Sequence, residues 1–217
     1  METELKEASH RKHMAIYQVL LIFVLPIALL YFNIIAKDWR ILILLLSVVV
    51  IYGIIRKERW HEEDLGLHLH NFRKNFFPYA AFTIVGAWLL MWLADKLGYE
   101  ASLGFWKSPH FIFLFLPISF FQEFAYRGFL MPLLRKIFSK TSTVIVVNAL
   151  LFSFLHIIYP HPEVMLPVAF VGGLAFAWIY HHYKNLLLVS ISHSVLNYIA
   201  VALGFFYMAS SYNVLNF

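Results

Sequence analysis

The sequence predicts an all-α protein, a polytopic membrane helical bundle of about seven transmembrane helices enclosing a polar intramembrane cavity. Three observations carry that expectation. Of the 217 residues, 61% are hydrophobic and only 13% charged, about half the charge of a soluble domain, and the mean hydropathy is +0.72. The apolar residues gather into seven long runs. A few polar side chains lie inside those runs, where facing lipid would be costly.

The runs can be taken in order. The first covers residues 14–35, behind a polar stretch from Met1 to His13. It is too long for the apolar core of a signal peptide and no small-residue cleavage site follows, so a retained span is expected. The second, 41–55, is short for a span and is expected to tilt or to be partly re-entrant. The third is 76–97, the fourth 111–134 and the fifth 141–158. The sixth, 164–180, is again marginal against the roughly 17–25 residues a span requires. The seventh is 186–207.

Charge sets the expected orientation. With the N-terminus inside, twelve of the seventeen Lys and Arg fall in cytoplasmic segments and four outside; the last, Arg127, lies within a span. That asymmetry predicts an integral membrane protein with its N-terminus inside, and a bacterial cytoplasmic membrane is the expected setting. The net charge of +5 then reflects cytoplasmic loops, and no nucleic-acid partner is expected. The chain has no cysteine, which excludes disulfides and thiolate metal sites. Without a repeat or a low-complexity tract, a single domain is the economical expectation. Residues 1–75 would supply a tail, two spans and a cytoplasmic loop, and 76–207 a core. In the loop, Trp60, Leu65, Leu67 and Phe72 are expected to lie on lipid headgroups. His61, His68 and His70 read as solvated loop residues rather than ligands.

The chemistry concentrates in the fourth, fifth and seventh runs. Between Lys107 and Arg135 the only Asp, Glu, Lys or Arg residues are Glu123 and Arg127. They are one helical turn apart with the acid N-terminal, the better orientation for a pair. The fifth run holds Asn148 and His156, which share a face, and the seventh holds His193 and Asn197, again one turn apart. On straight helices His156 would fall near the outer end of its span and His193 nearer the inside, so a tilt or a break is needed to unite them. A carboxylate can take a proton from water, imidazoles can orient that water or protonate a leaving amine, and an amide can hold an oxyanion. Alternatively, Glu123, His156 and His193 could form a zinc shell with an open position for water. No Ser-His-Asp or His-Glu-x-x-His arrangement competes. A proton-coupled transporter would also use buried Glu, His and Arg, but no inverted repeat supports one.

In order and spacing these residues resemble the CPBP family, the CAAX-protease and bacteriocin-processing membrane proteins also called Abi. Gln122-Glu-Phe-Ala-Tyr-Arg-Gly128 stands where the family has Glu-Glu-x-x-x-Arg, Phe152 to His156 matches Phe-x-x-x-His, and His193 to Asn197 matches His-x-x-x-Asn. Asp64-Leu-Gly-Leu67 is also typical of a loop ahead of that core. The resemblance implies intramembrane cleavage of a peptide or lipidated protein, with membrane lipid and that substrate as partners. It implies either a metalloprotease or a glutamate-dependent enzyme, with zinc as the one cofactor in view. In the second description the first Glu is the base, aided by His156, while His193 and Asn197 make the oxyanion site. Arg127, whose guanidinium cannot act as a base, is expected to orient Glu123 one turn away, with Phe152 as further structural support. Gln122 departs from the pattern at that first Glu, either as an introduced isosteric change or as the native residue. An amide is a poor base. Either Glu123 takes over as base or ligand, or the protein is a pseudo-protease, a regulator that binds without cutting.

Overall fold

Long apolar stretches with no water to satisfy their backbone fold as helices, the local solution a bilayer interior allows short of a closed barrel. The computed structural model describes residues 2–67, 69–99 and 109–205, and every regular element among them is helical. Helices α1 (Glu2–Val19) and α2 (Leu25–Tyr31) form one rod through a wider π-helical stretch, Leu20–Val24. After a short turn come α3 (Arg40–Glu58) and α4 (Phe72–Leu97). Then α5 (Pro109–Glu123) runs through a second π stretch, Phe124–Leu130, into α6 (Met131–Arg135). The bundle closes with α7 (Thr141–Phe154), which tightens into a 3-10 turn at Leu155–Ile158, then α8 (Pro162–His182) and α9 (Leu186–Ala202). These make seven rods among the described residues, one for each apolar run.

Among the described residues, five rods are long and apolar enough to cross a membrane: Lys6–Tyr31, Lys37–Glu58, Phe72–Leu97, Thr141–Ile158 and Pro162–His182. The second and sixth runs, expected to be marginal, are full-length helices. Their backbone ladders continue through polar ends, Arg40 and Arg56-Lys-Glu58 in α3, Glu163 and His181-His182 in α8. The seventh stops early. Its last turn closes when the Phe205 N–H donates to the Ala200 carbonyl, around Gly204 at φ +86°. Residues 206 and 207 of that expected span lie outside the described residues.

Each π stretch ends just ahead of a proline, Pro26 or Pro132. A proline inside a helix removes a donor and crowds the carbonyl one turn back, and a widened turn relieves that conflict. In the first stretch the Leu25 N–H accordingly reaches back to the Leu20 carbonyl. The two wide turns also touch, Phe23 meeting Tyr126 edge-on at 5.1 Å between ring centroids.

Helix α7 packs along α8, while α5 and α4 both pack along α9. The α7–α8 contact is close because Ala169, Gly173 and Ala177 form a buried stripe at four-residue spacing, the small-residue pattern that lets membrane helices approach. A Cβ on Gly173 would lie 3.2 Å from Ala149 Cα and 3.1 Å from Phe152 Cδ1.

In the loop after α3 the four apolar side chains expected on headgroups turn toward the protein. Leu65 is 5% exposed, and Trp60, Leu67 and Phe72 pack against the same core. Trp60 stacks on Phe129 at 5.2 Å while its Nε1 donates to Glu58. The loop grips the start of α9, where the first N–H groups lack ladder partners. The Leu186 N–H donates to the Gly66 carbonyl, and the Asn185 side chain accepts from the Leu188 N–H and donates to Asn71. Tyr180 donates to the Leu65 carbonyl at 2.8 Å. The helix that carries His193 and Asn197 is therefore anchored at its N-terminus.

Candidate functional site

The centre is Glu123, the last residue of α5 before the wide turn. Glu123 and Arg127 are both fully enclosed, and Arg127 Nη1 donates to Glu123 Oε1 at 3.2 Å. A pair stripped of water holds only with good geometry and further hydrogen bonds. Arg127 finds them: Nη2 donates to the Gly173 carbonyl at 3.2 Å, and the guanidinium lies 4.4 Å over the Phe152 ring and 5.5 Å from that of Phe176. From α9, His193 Nδ1 meets Glu123 Oε1 at 2.6 Å, the shortest contact in the cluster. The sequence thus brought Glu123, Arg127 and His193 into direct contact from two helices.

His156 joins them through Phe152 rather than directly. Its Nδ1–H donates to the Phe152 carbonyl at 3.0 Å, and its ring lies 5.1 Å from the Phe152 ring. His193 approaches that same ring at 5.6 Å. Phe152 is the hub, touched by both imidazoles and by the guanidinium. The break that a straight helix lacked is present, since His156 sits in the 3-10 turn beyond the end of α7. Asn197, half-buried, donates from Nδ2 to Ser119 Oγ at 3.4 Å, one turn before Glu123. Asn148 serves the backbone instead, its Nδ2 donating to the Tyr126 carbonyl in the wide turn at 2.7 Å. Gln122 is half-buried and makes no hydrogen bond among the described residues.

Among the described residues, three enclosed polar atoms find no hydrogen-bond partner: Glu123 Oε2, Arg127 Nε and Asn148 Oδ1. At this level the helices enclose a packed polar cluster. Glu123, His156 and His193 do not gather as a metal shell, and no group of three or more His, Asp or Glu among the described residues does. Glu123 Oε1 is already shared by Arg127 and His193, and the Nδ1 of each histidine is committed. The arrangement can orient imidazoles against a carboxylate and present an amide one turn away.

Ser119, Gly173 and Phe176 were not singled out by sequence reasoning. For Gly173 a signal existed, the Ala-x-x-x-Gly-x-x-x-Ala stripe of the sixth run. Ser119 and Phe176 carry none, because one serine or phenylalanine among many in apolar runs looks like any other.

Residues 104–199 match the family model described as Rce1-like, type II CAAX prenyl endopeptidase. The matched stretch includes Glu123, Arg127, Phe152, His156, His193 and Asn197. No curated protein and no solved structure matches the chain. Over residues 104–199, less than half of the chain, the protein is thus similar to the Rce1-like type II CAAX prenyl endopeptidases.

Proposed function

We propose that this chain is an endopeptidase that hydrolyses a peptide bond of a membrane-associated or lipidated peptide by activating water, in a cytoplasmic membrane with its N-terminus inside. The observation that carries the reading is the 2.6 Å contact between His193 and Glu123, enclosed beside Arg127 within the Rce1-like stretch. A buried carboxylate on one imidazole nitrogen sets the other for proton transfer. Asn197, one turn along α9, supplies an amide for a developing oxyanion. His156, on the other edge of the Phe152 contacts, is the second imidazole available to water or leaving group.

The test is cleavage of a fluorogenic prenylated peptide by the purified full chain in proteoliposomes, with and without chelator. Cleavage that survives chelation and falls about 10²–10⁴-fold in Glu123→Gln is the expected result. A second reading, a regulator that binds such peptides without cutting them, has one observation in its favour: Gln122 offers an amide where the family has its first carboxylate. It takes over if neither the chain nor its Gln122→Glu variant cleaves while the prenylated peptide still binds.

A further inference from the structure

We infer that His193 is the water-activating base of this chain, with Glu123 as the carboxylate that orients it. The inference rests on the peptidase reading and goes beyond it by assigning the proton. Glu123 Oε1 accepts from Arg127 Nη1 at 3.2 Å, so the His193 Nδ1 at 2.6 Å from that same oxygen is the donor. A neutral imidazole with its proton on Nδ1 has a bare Nε2, ready to accept. Among the described residues that Nε2 has no hydrogen-bond partner.

Neither acid position of the first motif can take the proton directly. Gln122 is an amide. Glu123 has one oxygen doubly engaged and the other, Oε2, fully enclosed, out of reach of a water beside the substrate. The carboxylate therefore acts through His193. His156 also turns its Nδ1 inward, but onto the Phe152 carbonyl, which carries no charge to balance an imidazolium.

The step is as follows. His193 Nε2 takes a proton from water as the water oxygen bonds to the scissile carbonyl carbon, and the carbonyl electron pair moves onto its oxygen. Asn197 Nδ2–H, on the same face of α9 one turn on, donates to that oxygen. Collapse re-forms the carbonyl and breaks the C–N bond, and the proton on Nε2 passes to the leaving nitrogen. The products are a carboxylic acid and an amine, and no co-reactant besides water is consumed.

The experiment has two arms. In the first, the full chain is labelled with 15N-histidine in lipid nanodiscs, and His193 is assigned by its loss in His193→Gln. A protonated Nδ1 and an unprotonated Nε2 at neutral pH, with that pattern altered in Glu123→Gln, are expected. A protonated Nε2 overturns the inference whether or not any peptide is cut. In the second arm, the prenylated peptide is offered to the chain, Glu123→Gln, His193→Gln and Gln122→Glu. Cleavage by the unaltered chain, with kcat at least about 10²-fold lower in Glu123→Gln and little change in KM, is expected. Cleavage confined to Gln122→Glu keeps the peptidase reading and overturns this one. Cleavage by none of the four overturns both.

Discussion

Arg127 is where the balance of charge and packing can be measured most directly. Removing it in Arg127→Met leaves Glu123 fully enclosed with no cation, and breaking a buried pair from one side costs about 3–5 kcal/mol. Arg127→Lys keeps the charge but loses the planar fork. The bond to the Gly173 carbonyl then goes, about 0.6 kcal/mol for an average interhelical hydrogen bond in a membrane protein. Part of the stack on Phe152 and Phe176 goes with it, and a desolvated cation–π contact is worth about 2 kcal/mol. The expected loss for lysine is therefore about 1–3 kcal/mol, clearly less than for methionine. Combining Glu123→Gln with Arg127→Met removes both charges and should recover most of the loss, since a buried pair replaced by neutral groups is often close to break-even. Cleavage should stay abolished in the double variant, because the carboxylate behind His193 has gone. Unfolding by SDS titration, followed through the six tryptophans, gives the stabilities, and the peptide assay gives the activities. Wild-type stability for Arg127→Met, or a double variant that loses the sum of the two singles, would refute the reasoning.

Other variants probe the scaffold. In Gly173→Ala the new Cβ meets Ala149 backbone at 3.2 Å and Phe152 at 3.1 Å, an overpacking expected to cost about 1–3 kcal/mol and to lower cleavage by displacing the Phe152 hub. Its control is Gly172→Ala, whose Cβ meets nothing within 4 Å; a thermal scan should show it at wild-type stability or slightly above. Gly66→Ala forces a side chain into φ +69°, at about 1–2 kcal/mol, and against Tyr180 Oη at 2.5 Å. It should loosen the loop from α9, which hydrogen exchange at the Leu186 amide would register. Asn185→Ala removes the cap of α9 at about 0.5–2 kcal/mol and should reduce cleavage even though Asn185 touches none of the reacting groups.

Hydropathy alone placed the seven rods, because each apolar run has only one local way to satisfy its backbone in lipid. It misjudged ends wherever polar residues continue a helix, as Arg56-Lys-Glu58 does in α3, or where a turn such as that at Gly204 cuts one short. Glu123, Arg127 and His193 were legible because charge inside an apolar run is expensive and must find a partner. Other relations belong to packing between rods. Nothing in one-dimensional spacing says that both imidazoles would meet on Phe152, that Ser119 would receive Asn197, or that Trp60 and Leu65 would turn inward. The wide turns lay half in view, since Pro26 and Pro132 mark where a regular ladder must give way without saying how.

The π stretch ahead of Pro132 also sets the phase of its rod. It holds more residues per turn than the regular ladder on either side. Deleting one residue there would let an ordinary helix re-form, and everything after it would turn about the axis by about 100°. Two contacts at the C-terminal end of the rod would record that rotation, because Arg135 donates to His181 at 2.9 Å and Lys136 pairs with Glu58 at 2.7 Å. Both would turn away from those partners, while Glu123, upstream of the change, kept its place. The surplus residue thus works as a spacer that keeps the buried acid and the basic end of one rod in register with three different neighbours.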